Sequence, residues 1–380
     1  MSETVSVMLA AGGTGGHLFP AFALAEELQR RGAAVDLITD MRGDRYGADF
    51  PARNIYQVPS ATLASRAVGD IAKTSIALAR GTKAAHRVLG EVKPNAVIGF
   101  GGYPTFPPLV AARLRGIPTA IHEQNAVLGR ANRLLAPRVI AIATSFDQTK
   151  HLEGPLAAKV SLTGNPVRAS VIAAAEQRYE APTADGEVRI LIFGGSQGAR
   201  YFSDAAPPAL IELPDALRAR LRVTQQAREE DVERVSDAYA QAGIAAQIEP
   251  FFKDLPERMA AAHLVIGRAG ASTIAELTVI GRPAILVPLP HALDNDQLHN
   301  ALRLADAGAG WCIEQKRLTS ERLADEIERL VAAPEHLVAA SAAAKKAGRP
   351  NAVSLLADFA LALAGQKAQA VVETETAVAT

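Results

Sequence analysis

Three glycine-rich loops, and the polar residues beside them, are where this sequence is equipped to do chemistry. Gly12-Gly13-Thr14-Gly15-Gly16 precedes His17, Gly194-Gly195-Ser196-Gln197-Gly198 lies mid-chain, and Gly267-Arg268-Ala269-Gly270 precedes Ala271-Ser272-Thr273-Ile274-Ala275-Glu276. Each follows a short apolar run and leads towards a helical one. A strand, glycine loop and helix in that order offer phosphate a row of backbone N–H groups and the positive end of a helix dipole. The first two loops are not Walker A motifs, because neither has Gly-Lys-Ser/Thr. They are not dinucleotide fingerprints either: Leu18 stands at the third glycine position, and Gly195 and Gly198 have the wrong spacing. Any one such loop also fits a tight turn of an ordinary α/β domain. Two at equivalent points of two halves point to phosphate binding.

The flanking side chains extend this reading. Glu276 lies one turn into its helix, where a carboxylate either accepts hydrogen bonds from a ribose diol or simply complements the helix dipole. Ser272 or Thr273 is expected to cap that helix. His17 sits at a helix start, where the dipole disfavours a charged imidazole. It is either a packed histidine or a neutral general base, a role worth about 10²–10⁴-fold in rate. Asp294-Asn295-Asp296 has the pattern of a metal-binding Asp-x-Asp. It leads from a proline-rich strand end into a helix, where Asp and Asn serve as caps, so no metal is expected. His86, His151, His263 and His336 read as surface or packing residues, and His291 and His299 as minor cleft contacts.

Loops of this kind need alternating strands and helices to hold them. Val5–Ala10, Ala34–Ile38, Ala96–Gly99, Pro118–Ile121, Val139–Ala143 and Val160–Leu162 read as strands of a first half. Val188–Phe193, Arg222–Thr224, Ala246–Glu249, Leu264–Gly267, Ala284–Pro288 and Gly310–Ile313 read as those of a second. Most are continuous apolar runs, as parallel strands buried on both faces require. Helices are expected over Ala21–Arg31, Arg66–Leu89 and Pro107–Arg115. Thr163-Gly164-Asn165-Pro166 breaks secondary structure and marks a junction. The expected architecture is α/β, with two Rossmann-like doubly wound domains facing across a cleft. Their expected extents are 1–165, joined by a C-terminal helix at 350–365, and 166–349, with a disordered tail at 366–380.

Bulk properties set the bounds. At 380 residues the chain suits two cores better than one. Forty basic against forty acidic residues leave no net field, which argues against nucleic acid as a partner. Cys312 is the single cysteine, so no internal disulfide forms, in keeping with a reducing compartment. The opening MSETVSVMLAAGG lacks a basic n-region and reads as a first strand rather than a signal peptide. No run reaches the roughly 18–20 apolar residues of a membrane-crossing helix.

Taken in order, Gly12–His17, Gly101-Gly102-Tyr103, His122-Glu123-Gln124-Asn125, Gly164-Asn165-Pro166-Val167-Arg168, Gly194–Arg200 and Gly270–Glu276 form a specific set. The set resembles the MurG family of N-acetylglucosaminyltransferases of bacterial peptidoglycan synthesis, over residues 5–360. The resemblance implies the GT-B fold, with an acceptor-binding N-terminal lobe and a UDP-sugar-binding C-terminal lobe around a deep cleft. It implies inverting transfer of N-acetylglucosamine from UDP-N-acetylglucosamine to the muramyl C4 hydroxyl of undecaprenyl-diphosphoryl-pentapeptide (lipid I). The product is lipid II, made without metal or other cofactor. Position by position, it places Thr14, Gly15, Gly16 and Asn125 on the N-lobe side of the donor site. From the C-lobe, Arg168, Ser196, Ala271, Ser272, Thr273, Ile274, Ala275, Glu276 and Gln297 are implied to hold the donor, and Phe252 through its backbone. His17 is the expected catalytic base, and His122 is expected to order the Glu123–Asn125 loop. Asp296 departs from the family, which commonly has a second glutamine there. Another UDP-sugar enzyme of the same architecture, a glycolipid synthase or a UDP-N-acetylglucosamine 2-epimerase, is the alternative reading.

Arg66, Lys73, Arg80 and Arg87 recur every seven residues, with Lys83 close by and Ile71, Ile76 and Leu78 around them. Seven residues are nearly two helical turns, so the charges form one stripe. The stripe is either a solvated helix face or, given a lipid-linked acceptor, a contact to anionic membrane worth roughly 1 kcal/mol per residue. The second reading places the protein peripherally on the cytoplasmic face of the bacterial inner membrane, with other cell-wall synthesis proteins as further expected partners.

Overall fold

The computed structural model describes residues 4–12, 15–40, 50–60, 68–195, 199–290 and 292–378. Among these residues the chain forms two all-parallel sheets. The first contains β1 (Ser6–Ala10), β2 (Ala34–Thr39), β3 (Ile55–Gln57), β4 (Ala96–Gly99), β5 (Thr119–Glu123), β6 (Ala141–Thr144) and β7 (Val160–Leu162), ordered β3-β2-β1-β4-β5-β6-β7. The second contains β8 (Val188–Phe193), β9 (Leu221–Gln226), β10 (Ala245–Glu249), β11 (Leu264–Gly267), β12 (Ala284–Leu286) and β13 (Gly310–Cys312), ordered β10-β9-β8-β11-β12-β13. Strand order reverses between β1 and β4 and again between β8 and β11. Open α/β sheets bind ligands at such switch points, beyond the carboxyl ends of the strands. The glycine loops after β1, β4, β8 and β11 all leave from them.

The chain divides into two compact units, Met1–Val167 with Asn351–Thr380, and Arg168–Pro350. The helices of the first unit are α1 (Gly15–Arg30), α2 (Val68–Val92), α3 (Phe106–Leu114) and α4 (Arg130–Leu135). Those of the second are α5 (Ala169–Ala174), α6 (Arg200–Ile211), α7 (Asp215–Arg218), α8 (Val232–Gln241), α9 (Leu255–Ala261), α10 (Ala271–Ile280), α11 (Asp296–Asp306), α12 (Ser320–Ala332) and α13 (Pro334–Ala347). The last helix, α14 (Ala352–Val378), returns to the first unit.

Alternation along β1 explains why its run is apolar throughout. Val7 and Leu9 pack with Leu24 and Leu28 of α1 and Leu356 and Ala360 of α14. Met8 and Ala10 point the other way, to Leu89 of α2 and Leu109 of α3. Both faces are covered, as a parallel sheet demands. Arg31 ties α1 to α14, donating to Glu27 Oε1 (2.7 Å) and Ser354 Oγ (2.7 Å).

Two features depart from expectation. Strand β3 was not foreseen, since its Ile55, Tyr56 and Gln57 lie at a sheet edge with only Tyr56 half-buried. An edge strand of three residues carries neither an apolar run nor an alternation to read. Helix α14 continues to Val378, where a disordered tail was expected from residue 366. The segment has no proline after Ala352 and is rich in alanine, the best helix former.

In the second unit three helices end close together. Arg282, 1% exposed, donates to Ala260 O at the end of α9, to Ile280 O and Gly281 O at the end of α10, and to Gln177 O just beyond α5. Lys345 donates to Ala175 O and Val279 O, both at 2.8 Å. Carbonyls at helix C-termini lack intrahelical donors and carry the negative end of the dipole, so cations suit them.

Candidate active site

In the first unit the loop after β1 opens α1, and Gly15, Gly16 and His17 are that helix's first residues. Thr14 lies outside the described residues. The His17 ring packs on the turn after β4: a Cβ on Gly101 would sit 3.2 Å from His17 Cε1, and one on Gly102 3.4 Å from Cδ2. Both glycines have positive φ, 92° and 72°, a conformation L side chains rarely adopt. On its other side, His17 Nδ1 lies 3.3 Å from Gln124 Oε1.

Gln124 belongs to a buried polar network at the end of β5. One hydrogen of its Nε2 goes to Phe100 O (3.0 Å), and the other is shared between His122 Nδ1 (2.9 Å) and His122 O (3.2 Å). His122 Nε2 is 3.0 Å from Gly164 O. Beside it, the Glu123 carboxylate accepts from Asn125 N (3.0 Å), Gly129 N (2.9 Å) and Asn132 Nδ2 (2.8 Å). Burial pushes the Glu123 carboxyl above its usual range, and these donors oppose the shift. Glu123 thus holds the backbone of Asn125, the expected donor contact. His122 contacts the same loop through Gln124 and is tied to Gly164 O on its other side.

In the second unit α10 starts after the loop Arg268-Ala269-Gly270. Gly270 is its N-cap, with extended φ and ψ and no side-chain cap bond, so neither Ser272 nor Thr273 caps the helix as expected. Both lie within its first turn, and the missing Cβ of Gly270 leaves that end open. Ile274 is buried at 5%, with its N–H donating to Gly270 O (3.0 Å) and its carbonyl accepting from Thr278 Oγ1 (2.8 Å). Glu276, 13% exposed in its side chain, is paired with Arg168 at 3.1 Å. Burial raises the Glu276 carboxyl above its ordinary range, and Arg168 opposes that shift. Arg168 is itself the N-cap residue of α5.

The loop before α10 is braced from α11. Gln297 Oε1 accepts from Ala269 N (3.3 Å) and Leu289 N (3.0 Å), and Asn300 Nδ2 donates to Ala269 O (3.0 Å). Arg268 is buried beneath it, donating to Val287 O, Pro288 O and Gln315 Oε1. Asp294 and Asn295 take consecutive left-handed conformations, with φ of 59° and 52°, before α11 begins. Among the described residues no group of three or more His, Cys, Asp or Glu is arranged to hold a metal ion. Phe252 is buried at 5%, with the Arg258 guanidinium 4.4 Å from its ring centre. Ser196 lies outside the described residues, as does His291.

Residues 7–144 match the glycosyltransferase family 28 N-terminal domain, and residues 189–356 the glycosyltransferase family 28 C-terminal domain. A relative from Mesorhizobium japonicum is 53% identical over 362 residues, 95% of this chain and 96% of its own. It is named UDP-N-acetylglucosamine--N-acetylmuramyl-(pentapeptide) pyrophosphoryl-undecaprenol N-acetylglucosamine transferase. A relative of the same name from Chelativorans sp. is 52% identical over 359 residues, 94% of this chain and 95% of its own. The crystal structure of Acinetobacter baumannii MurG matches with a TM-score of 0.79 at 32% identity, covering 94% of this chain and 99% of that one. The chain belongs to the MurG family of glycosyltransferases. A UDP-N-acetylglucosamine 2-epimerase from Neisseria meningitidis shares only the fold, at a TM-score of 0.62 and 15% identity.

This MurG-family chain also carries an acid-sensitive pair of buried histidines, one in each unit. Burial holds His122 down to about 4, with His17 nearby adding to the shift and Gly164 O opposing it. Burial, with Arg189 and Arg282 nearby, holds His263 at about 4 as well. Both stay neutral in the fold, whereas histidines of the unfolded chain protonate near 6.5. Stability is therefore intact above that pH and drains as pH falls towards 4, by about 2 kcal/mol per histidine at pH 5. The melting temperature is expected to drop between pH 7.5 and 5; a flat profile would contradict it.

Proposed function

We propose that this enzyme moves N-acetylglucosamine from UDP-N-acetylglucosamine to the muramyl C4 hydroxyl of lipid I, making lipid II with inversion. What carries the reading is a glycine-opened helix N-terminus, Gly270–Glu276, with a nearly buried carboxylate at its first turns. It stands in a chain 53% identical, over 95% of its length, to a transferase named for that reaction.

His17 takes the proton of the acceptor hydroxyl as that oxygen bonds to the anomeric carbon. The bond from that carbon to the diphosphate oxygen breaks, and its electron pair leaves with UDP. Backbone N–H groups at the start of α10 and in the loop after β8, which includes Ser196, receive the developing charge; preorganised donors of this kind favour the transition state. Thr14, Gly15, Gly16 and Asn125 are assigned to the donor as well. Gln297 contributes through its Nε2, since its oxygen is occupied by backbone. Phe252 offers backbone only.

The test is transfer of radiolabelled N-acetylglucosamine to a short-chain lipid I analogue, with and without EDTA. Equal product in both is expected. Absence of product despite tight donor binding would move the acceptor assignment, and loss in EDTA alone would return Asp294 and Asp296 as metal ligands.

Glu276 is assigned to the ribose diol; Arg168, paired with it at 3.1 Å, opposes the upward push of burial on its carboxyl. Hydrogen bonds to a charged group contribute about 1.5–3 kcal/mol, so Glu276→Ala is expected to raise the KM for UDP-N-acetylglucosamine about 10–100-fold. Initial-rate kinetics reads this, and an unchanged KM removes Glu276 from the donor site.

Attachment to the cytoplasmic face of the inner membrane is supported by α2, where Lys73, Arg80, Lys83 and Arg87 are all exposed and Ile76 is 54% exposed. Arg66 lies outside the described residues. Reversing Arg80, Lys83 and Arg87 to glutamate is expected to weaken binding to phosphatidylglycerol vesicles by more than about tenfold, at roughly 1 kcal/mol per charge. Cosedimentation measures it, and undiminished binding excludes the stripe as the contact.

A further inference from the structure

We propose that Gln124 is a positioning residue: it holds the His17 imidazole with its proton on Nδ1, so that the basic lone pair is on Nε2. The proposal rests on His17 being the base, and the tautomer it specifies is measurable without turnover.

The orientation of the Gln124 amide decides the matter, and two backbone carbonyls fix it. Phe100 O and His122 O lie 3.0 and 3.2 Å from one end of the amide. A carbonyl oxygen only accepts, so that end is the NH₂ group and the opposite end is the oxygen. The oxygen faces His17 Nδ1 at 3.3 Å and cannot donate. Nδ1 must therefore carry the hydrogen, since the other tautomer would set two lone pairs against each other at a residue 1% exposed.

His122 closes the relay in the opposite sense. Its Nε2 faces Gly164 O at 3.0 Å and must donate, leaving Nδ1 to accept from Gln124 Nε2 at 2.9 Å. The two histidines are thus held in opposite tautomers with one amide between them. Backbone carbonyls anchor two members of the relay, Gly164 O at His122 and Phe100 O at Gln124. The turn at Gly101 and Gly102 packs on the same imidazole and limits its rotation away from the amide. A neutral amide sets the proton position without adding the negative charge a carboxylate would bring.

The experiment uses the full chain labelled with ¹⁵N-histidine, with long-range ¹H–¹⁵N correlation spectra at pH 8. His17 is assigned by its disappearance in His17→Gln. In the wild type, His17 is expected protonated on Nδ1 and His122 on Nε2. In Gln124→Met, His17 is expected to move towards the Nε2–H form, with kcat down at least about tenfold and the donor KM nearly unchanged. A wild-type His17 carrying its hydrogen on Nε2 overturns the proposal, and that spectrum suffices if the variant does not fold. An unmoved tautomer in a folded Gln124→Met overturns it too. Full activity of His17→Ala would instead remove the base assignment, leaving the tautomer result to stand on its own.

Discussion

Alanine at position 17 is expected to cost about 10²–10⁴-fold in kcat, with the KM for UDP-N-acetylglucosamine changed only a few-fold. That range corresponds to about 2.7–5.5 kcal/mol of activation free energy. The ring stands at the switch point of the first sheet, where α1 begins, between the Gly101-Gly102 turn and Gln124. A base removes a proton only in the transition state, so its loss appears in kcat rather than in donor binding. Steady-state kinetics of purified His17→Ala with a soluble lipid I analogue measures the split. Turnover within a few-fold of wild type, with product made, would falsify the assignment and leave water or a carboxylate as the proton acceptor.

Arg282→Ala is the substitution expected to do most harm to the fold. Its guanidinium serves four backbone carbonyls at the ends of three helices and stacks on Tyr179, with the charge centre 5.5 Å from the ring centroid. Burial lowers Arg282 to about 10, still well above neutrality, so it remains a cation where those helix dipoles want one. Removing it leaves a cavity and several orphaned carbonyls at about 1–3 kcal/mol each, partly regained by water. A loss of about 3–5 kcal/mol is expected. Arg282→Lys should recover only part, because one ammonium cannot span the same carbonyls. Urea unfolding of both variants reads the difference. Equal stability of Arg282→Ala and wild type would show that water satisfies those carbonyls as well as the guanidinium does.

Much of the architecture was legible because parallel sheets write it into composition. The apolar runs at Val7–Ala10, Ile190–Phe193 and Leu264–Gly267 have no solvent face to pattern, and glycine follows each where the chain turns. The short edge strand at Ile55–Gln57 was not legible, because it buries too little to need a pattern. The helix past Gly365 was missed for another reason: alanine-rich composition serves a disordered tail and a helix equally well.

The candidate site divides in the same way. Gly270–Glu276 and His17 could be singled out from the sequence, since loop, helix start and spacing are local properties, whereas Asn125 came only with the resemblance to the family. Their supports could not. Glu123 meets Gly129 and Asn132, Gln124 meets Phe100 and His17, and Asn300 meets Ala269, all through turns whose closure depends on packing. Arg282 looks like any other arginine until three helix ends converge on it. By itself, then, the sequence determined two parallel α/β sheets, their glycine loops and the family. Only the tertiary structure decided which buried donors and acceptors meet. A strand or loop signal depends on neighbours in the chain, whereas a hydrogen bond across 107 residues, as between His17 and Gln124, exists only once the sheet has brought its strand ends together.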